Sequence, residues 1–326
     1  MKETALFNQD TEKIWLSGIM GLVTGDALGC PVQFRSREEI ALMPVTGMQG
    51  YGTYDMPPGT WTDDSSMALA TLASIRALGK IDPEDIMKRF AEWIRKGAYT
   101  PYGEAFDIGN GTMRAVMRYL DTGDAVHSGG STEYDNGNGS LMRILPACLY
   151  GVLMQRDGML SDEEAVNLVH KAGALTHAHL RSQIACGLYF FLVQSVLNEE
   201  DGLRGRLQKG LEKGFAFYDA RKDCLPELRF YHRLRDLPEF ADLPSSRIRS
   251  SGYVVDTLEA VLWSLCRSGS FREALLTAVN LGDDTDTVGA IAGGLGGLFY
   301  GIEGIPKAWF QTIVLRDRIE ALCRPL

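Results

Sequence analysis

The chain is poor in the residues that build thiolate or imidazole metal sites. It has five histidines and six cysteines in 326 residues, and no CxxC pair. That excludes a zinc-finger or zinc-ribbon framework. Basic charge is also short: 33 lysines and arginines stand against 42 acids, a net charge of -9. A protein that grips nucleic acid through its phosphates needs a basic stripe, so that class is disfavoured. Low-complexity linkers and fixed-period repeats are missing. Met1 to Asp10 is polar, without an apolar core of signal-peptide length. The uncharged run from Thr287 to Ile302 is rich in glycine and short for a membrane span, so it reads as a buried helix. Cys30, Cys148, Cys186, Cys224, Cys266 and Cys323 lie mostly in apolar stretches. They read as buried, reduced thiols of a cytoplasmic protein with no membrane attachment.

What is present is helical periodicity. Asp82-Pro83-Glu84-Asp85 supplies an N-cap, a first-turn proline and first-turn acids. Ile86, Phe90, Trp93 and Ile94 then form one face, and Gly97 is a stop. Ser161 with Glu164 makes a capping box ahead of Ala165, Leu168, Val169 and Ala172. Ser270 with Glu273 repeats the device, with an end expected at Gly282. Val255, Leu258, Val261, Leu262 and Leu265 mark a further helix. Pro306 opens a last one carrying Trp309, Ile313 and Ile319. Alternation of strand period is hard to find, and no Asn-Gly turn joins two β-like runs. The expectation is an all-α protein, one compact domain over 1–326, with an irregular helix-and-loop region at about 200–250.

Two acidic loops carry the chemistry. Trp61-Thr62-Asp63-Asp64-Ser65-Ser66 precedes a helical pattern of Met67, Leu72, Ile75 and Leu78 that closes at Gly79. Helix capping alone would explain one such acid. Gly282-Asp283-Asp284-Thr285-Asp286-Thr287 again lies between two helices, and three aspartates in four residues repel each other unless a cation holds them. Carboxylate and hydroxyl oxygens suit Mg²⁺, Mn²⁺ or Ca²⁺ rather than zinc. The spacing does not match an EF-hand. In an all-α fold the two loops can converge on one oxygen-lined site. Gly21, Gly25 and Gly29 recur every fourth residue, as do Gly289, Gly293 and Gly297. Each set marks a helix face that another backbone can approach closely. Asn136-Gly137-Asn138-Gly139-Ser140, followed by Leu141-Met142-Arg143, reads as a loop able to take left-handed backbone and aim N–H groups at a phosphate or ribose. Asp107-Ile108-Gly109-Asn110-Gly111 is a weaker case. In Thr176-His177-Ala178-His179 the two histidines face apart, which suits one ligand contact and one cap or packing role rather than joint metal ligation.

Gly25-Asp26-Ala27-Leu28-Gly29, Trp61-Thr62-Asp63-Asp64, residues Asn136 to Arg143, Thr176-His177 and Asp284-Thr285-Asp286-Thr287 occur in an order that resembles the ADP-ribosylglycohydrolase family. With the two glycine sets they span residues 21 to 297. The resemblance implies a compact orthogonal multi-helix bundle holding two Mg²⁺ or Mn²⁺. It implies Thr62, Asp63, Asp64, Asp284, Asp286 and Thr287 as metal ligands. Asp63, Asp64 or Asp107 would act as catalytic base. Gln33, Gly137, Asn138, Gly139, Ser140 and His177 would line the ADP-ribose cleft. The implied reaction is hydrolysis of the N- or O-glycosidic bond that joins ADP-ribose to a protein arginine or serine, or to a small molecule. Two positions depart from the family pattern. Gln33 stands where many relatives carry glutamate, and an amide keeps an oxygen but is no base. Asp283 replaces a common glycine and is expected to add negative charge near the metals. Gln33 also leaves open a non-catalytic ADP-ribose-binding or structural protein on the same scaffold. A two-metal phosphoesterase is a third reading, disfavoured by the lack of clustered histidines.

Overall fold

Residues 6–325 are described by a computed structural model, in which every regular element is a helix and no strand occurs. Residues 1–5 of the polar opening segment lie outside the described residues. The helices are α1 (Gln9–Gly29), α2 (Arg37–Leu42), α3 (Asp63–Leu78), α4 (Pro83–Lys96), α5 (Asn110–Thr122), α6 (Leu145–Arg156), α7 (Asp162–Ala174) and α8 (Leu180–Asn198). They continue with α9 (Leu203–Asp219), α10 (Leu225–Leu228), α11 (Leu237–Ala241), α12 (Val254–Cys266), α13 (Phe271–Val279), α14 (Thr285–Tyr300), α15 (Lys307–Thr312) and α16 (Arg316–Cys323). Their starts and stops follow local chemistry. Asp82 accepts the Asp85 N–H at the head of α4, and Gly97 closes it in the left-handed region, φ 64°. Ser161 and Glu164 cap α7 reciprocally.

The central contact is α1 against α14. The two glycine sets interlock with opposite chain directions. A Cβ on Gly21 would lie 2.2 Å from the Gly293 carbonyl oxygen, one on Gly25 1.9 Å from that of Gly289, and one on Gly297 2.1 Å from that of Ser17. No side chain fits at that spacing. The antiparallel seam therefore sets the C-terminal end of α1 beside the N-terminal end of α14, where the second acidic loop begins. Around it, Trp15, Ile19, Leu72, Leu149, Phe190, Leu262, Ile291 and many other fully buried apolar residues form one continuous core.

Three expectations change, the single last helix, the end of α13 at Gly282 and its capping box, while the 200–250 region is a helix followed by short turns. In the 200–250 region, Leu203–Asp219 is a regular 17-residue helix. Its Gly205, Gly210 and Gly214 lower helix propensity, but Gly210 and Gly214 pack directly on α8, where Leu192 and Phe191 leave no room for a side chain. Only the stretch beyond it is a chain of short turns. The last helix is two, α15 and α16, broken at Leu315 with φ 54°. The Val314 N–H donates to the Gly59 carbonyl and the Val314 carbonyl accepts from Trp61 Nε1, which pulls the chain out of helix. Helix α13 ends at Val279, short of Gly282, and the Glu273 carboxylate takes the Gly269 N–H instead of completing a capping box. Finally, two segments, Gln9–Val32 and Leu180–Asn198, are long and apolar enough to cross a membrane by length and composition. Of their most apolar windows, 89% and 78% is buried inside the fold, which matches core helices.

Candidate active site

The site is built where three helix ends meet. Thr62 precedes α3 in extended conformation, so Asp63 and Asp64 occupy its first turn. Asp284 precedes α14, and Asp286 lies in its first turn. Two positive helix ends thus face a set of carboxylates, the favourable sign. Asp26, on the last turns of α1, binds them together. Its carboxylate accepts the Thr62 N–H on both oxygens at 3.0 Å, the Ser65 N–H at 3.0 Å and the Ser65 hydroxyl at 2.5 Å. Asp26 therefore caps α3 from another helix, one residue along from the seam glycine Gly25. Nothing in the sequence around Asp26 marks this role, because its partners come only from the tertiary fold.

Asp26, Asp63, Asp64 and Asp286 are all buried. Burial pushes Asp26 up from the ordinary carboxylate value of 3.8 to about 7, partly opposed by its hydrogen bonds. Burial first, and then the neighbouring carboxylates, raise Asp63, Asp64 and Asp286 well above the usual range. The charges that act most on these three are other aspartates. One oxygen each of Asp26, Asp64 and Asp286 falls within 4.8 Å of the others. Asp64 Oδ1, Asp286 Oδ2, Asp107 Oδ2 and Gln33 Oε1 are buried with no hydrogen-bond partner. Unpartnered oxygens crowded without a positive side chain are costly to bury. A hard divalent cation satisfies them with the donor type it prefers, so the residues fit such an ion.

Beside this cluster lies a cavity of about 240 Å³, lined by Gln33, Phe34, Asp63, Asp107, Gly137, Asn138, Gly139, His177, Asp284 and Thr287, among others. Asn138 ties its wall to the second acidic loop, donating from Nδ2 to Asp284 Oδ2 at 2.6 Å and to Thr257 Oγ1 at 2.9 Å. Asp107 holds left-handed backbone, φ 57°, and accepts the Tyr54 hydroxyl. Tyr54 is a partner that sequence reasoning missed. So are Phe34, an exposed ring at φ 66° on the cavity rim, and Gly252, whose carbonyl accepts the Asn138 N–H. Thr62 directs its hydroxyl to Asp64 Oδ2 at 3.1 Å, and the Thr287 N–H donates to Asp286 Oδ1 at 2.9 Å.

Three site expectations are corrected. Ser140 is not on the cavity: its hydroxyl faces inward and accepts from Cys186 Sγ at 3.6 Å. The glycines of its loop do not serve left-handed backbone, since no residue from 136 to 140 has positive φ. With Gly111, they make room for an imidazole: a Cβ on Gly139 would lie 2.7 Å from His177 Cε1, one on Gly137 3.4 Å from its Nε2, and one on Gly111 2.9 Å from its Nε2. Asp283 does not point its charge into the cluster. It is exposed at φ 59°, pairing by backbone with Phe34 and Arg35. That backbone explains why glycine suits the position and why aspartate is tolerated. The two histidines divide their work. His179 caps α8, accepting the Arg181 N–H, while His177 lines the cavity.

The chain is similar to known proteins along nearly its whole length. A family model described as ADP-ribosylglycohydrolase matches residues 8–326. The ADP-ribosylarginine hydrolase Tri1 of Serratia proteamaculans is 33% identical over 310 residues, covering 94% of this chain and 77% of that protein. The ADP-ribosyl-dinitrogen reductase glycohydrolase of Rhodospirillum rubrum is 33% identical over 304 residues, covering 92% and 90%. A solved structure titled ADP-ribosylglycohydrolase-related protein complex superposes with a TM-score of 0.73 at 32% identity, covering 97% of each chain. With its acidic helix ends, its histidine-walled cavity and a match along nearly its whole length, the chain belongs to the ADP-ribosylglycohydrolase family.

Proposed function

We propose that this protein, as one domain, hydrolyses the bond between ADP-ribose and an arginine side chain, using two Mg²⁺ or Mn²⁺ held by both acidic loops. The observation that carries the metal reading is the pair of unpartnered buried oxygens on Asp64 and Asp286, one from each acidic loop. The names of the relatives from Serratia proteamaculans and Rhodospirillum rubrum favour a protein substrate, and the former favours arginine. Six unpaired cysteines fit a reducing compartment such as the cytoplasm.

Thr62, Asp63, Asp64, Asp284, Asp286 and Thr287 would hold the cations. When bound, such ions supply orientation of ribose hydroxyls and activation of water. Asp26 keeps Asp63 and Asp64 in place by capping their helix. Asp107, anchored through Oδ1 by Tyr54, keeps Oδ2 free to take a proton from the attacking water. His177 and the backbone around Gly137 to Gly139 bind the ADP-ribose part. His177→Ala is expected to weaken ADP-ribose binding about tenfold, the worth of one good hydrogen bond, while leaving metal titration unchanged. Calorimetry with each ligand in turn checks this. A shifted metal isotherm would make the histidine a ligand.

Gln33 decides between turnover and mere binding. Its buried amide oxygen lacks a partner and lines the cavity, where a glutamate would bring a base. With Asp107 supplying that base, wild type turns over, and Gln33→Glu changes the rate by much less than the roughly 10²–10⁴-fold that a general base contributes. A dead wild type switched on by Gln33→Glu would instead put the base at position 33. The assay is release of free ADP-ribose from an ADP-ribosyl-arginine peptide.

A further inference from the structure

Arg143 is a buried cation with no carboxylate beside it. It is fully enclosed, with its guanidinium 4.8 Å from the centre of the Phe90 ring. Its donors go to the carbonyls of Ala172 at 3.1 Å and Gly173 at 3.3 Å, in the last turn of α7, and to Thr176 Oγ1 at 2.8 Å. A helix C-terminus offers unsatisfied carbonyls and the negative end of the dipole, which accounts for the burial of the charge. The third bond has a further consequence. A guanidinium only donates, so Thr176 Oγ1 accepts there.

A hydroxyl has one hydrogen. The other partner of Thr176 Oγ1 is His177 Nδ1, at 2.9 Å. Among the described hydrogen bonds the Thr176 hydroxyl has no other acceptor, so its hydrogen goes to Nδ1. A neutral imidazole that accepts at Nδ1 carries its proton at Nε2. Backbone pins the ring from both sides: the His177 N–H donates to the Gly173 carbonyl, and the Gly130 N–H to the Thr176 carbonyl. Nε2 packs against Gly111, Gly137 and Gly139 in the cavity wall, and no protein acceptor for it is present among the described hydrogen bonds.

We propose that Arg143 and Thr176 are positioning residues that act through His177, fixing it as the Nε2–H tautomer so that the cavity is offered a hydrogen-bond donor. Burial, and then the nearby Arg143 cation, hold the imidazole down to about 3, so the ring is neutral at physiological pH and the tautomer decides what it can bind. A neutral donor selects a ligand oxygen, a ribose hydroxyl or a phosphate, and rejects an N–H at that point. This last step rests on the proposed ADP-ribose reading; the tautomer does not.

The test is ¹⁵N NMR of histidine-labelled protein at neutral pH, with His177 assigned by its loss in His177→Ala. Protonated and bare ring nitrogens resonate far apart, so the spectrum reports the tautomer directly. Wild type is expected to show Nε2–H alone. Thr176→Val, which keeps the shape and removes the hydroxyl, should give a mixture of tautomers and about tenfold weaker ADP-ribose binding. Thr176→Ser should restore both. A wild-type ring protonated at Nδ1 overturns the proposal whatever the variants do, and so does a Thr176→Val protein that keeps pure Nε2–H. A mixed tautomer with unchanged ADP-ribose affinity upholds the relay and removes His177 from the ADP-ribose site instead.

Discussion

Asp286→Asn is expected to abolish divalent-cation binding and ADP-ribose release while the protein stays folded. The substitution keeps volume and an oxygen to accept the Thr287 N–H, but removes the charge beside Asp64. The loss of metal affinity should exceed the roughly 10–100-fold that follows removal of an outer partner of a ligand. Wild type should melt at a higher temperature with Mg²⁺ or Mn²⁺, because an ion that binds only the folded state stabilises it. The Asn variant should show no such rise. The pH dependence of the metal-free protein has a definite sign. A carboxylate raised in the fold, such as Asp26, binds its proton more tightly folded than unfolded. Its contribution is full below the ordinary value of 3.8 and is lost as pH rises through about 7. Metal-free protein is therefore expected to weaken toward alkaline pH, and added cation to help most there, since the ligands must be deprotonated to bind it. Scanning calorimetry with and without metal, at several pH values, checks both. An Asn variant that titrates metal like wild type would remove Asp286 from the site.

Gly25→Ala is expected to destabilise the fold by about 3 kcal/mol or more, the upper end of the usual cost of overpacking. The added methyl would meet the Gly289 carbonyl oxygen at 1.9 Å, and that atom is backbone inside a helix, so no side chain can swing aside. The seam would have to open, moving Asp26 away from the head of α3 and Asp286 with it. The melting temperature should fall by roughly 5 °C or more. Metal binding should weaken in the same variant. Gly202→Ala is the control: nothing lies within 4 Å of a Cβ there, and its φ of -63° suits alanine. If Gly25→Ala melts with the control, the two helices do not sit at this spacing.

Much of this was legible from local chemistry. Asp82, Gly97, Ser161 and Gly79 bound their helices as written, because a cap acts on the residues next to it. The glycine sets announced a close approach, and the acidic loops announced a crowd of carboxylates of the kind that could hold a cation. What escaped was set by distant partners. Asp26 is one acid in an apolar helix until α3 is placed against it. Ser140 faces Cys186 and Asp283 faces solvent, and neither direction is written in the loop sequence. The glycines at 137 and 139 read as flexible turn residues, although a ring contributed from position 177 is what they accommodate. The helix after Pro306 breaks at Leu315 because Gly59 and Trp61 claim the backbone of Val314.

Metal-dependent removal of ADP-ribose is tested most directly by release of free ADP-ribose from an ADP-ribosyl-arginine peptide by the purified protein, with Mg²⁺ or Mn²⁺ and with chelator. Release is expected with either cation present, none after chelation, and recovery when the cation is returned. A protein that binds ADP-ribose yet releases none from arginine or serine peptides with either metal would contradict it.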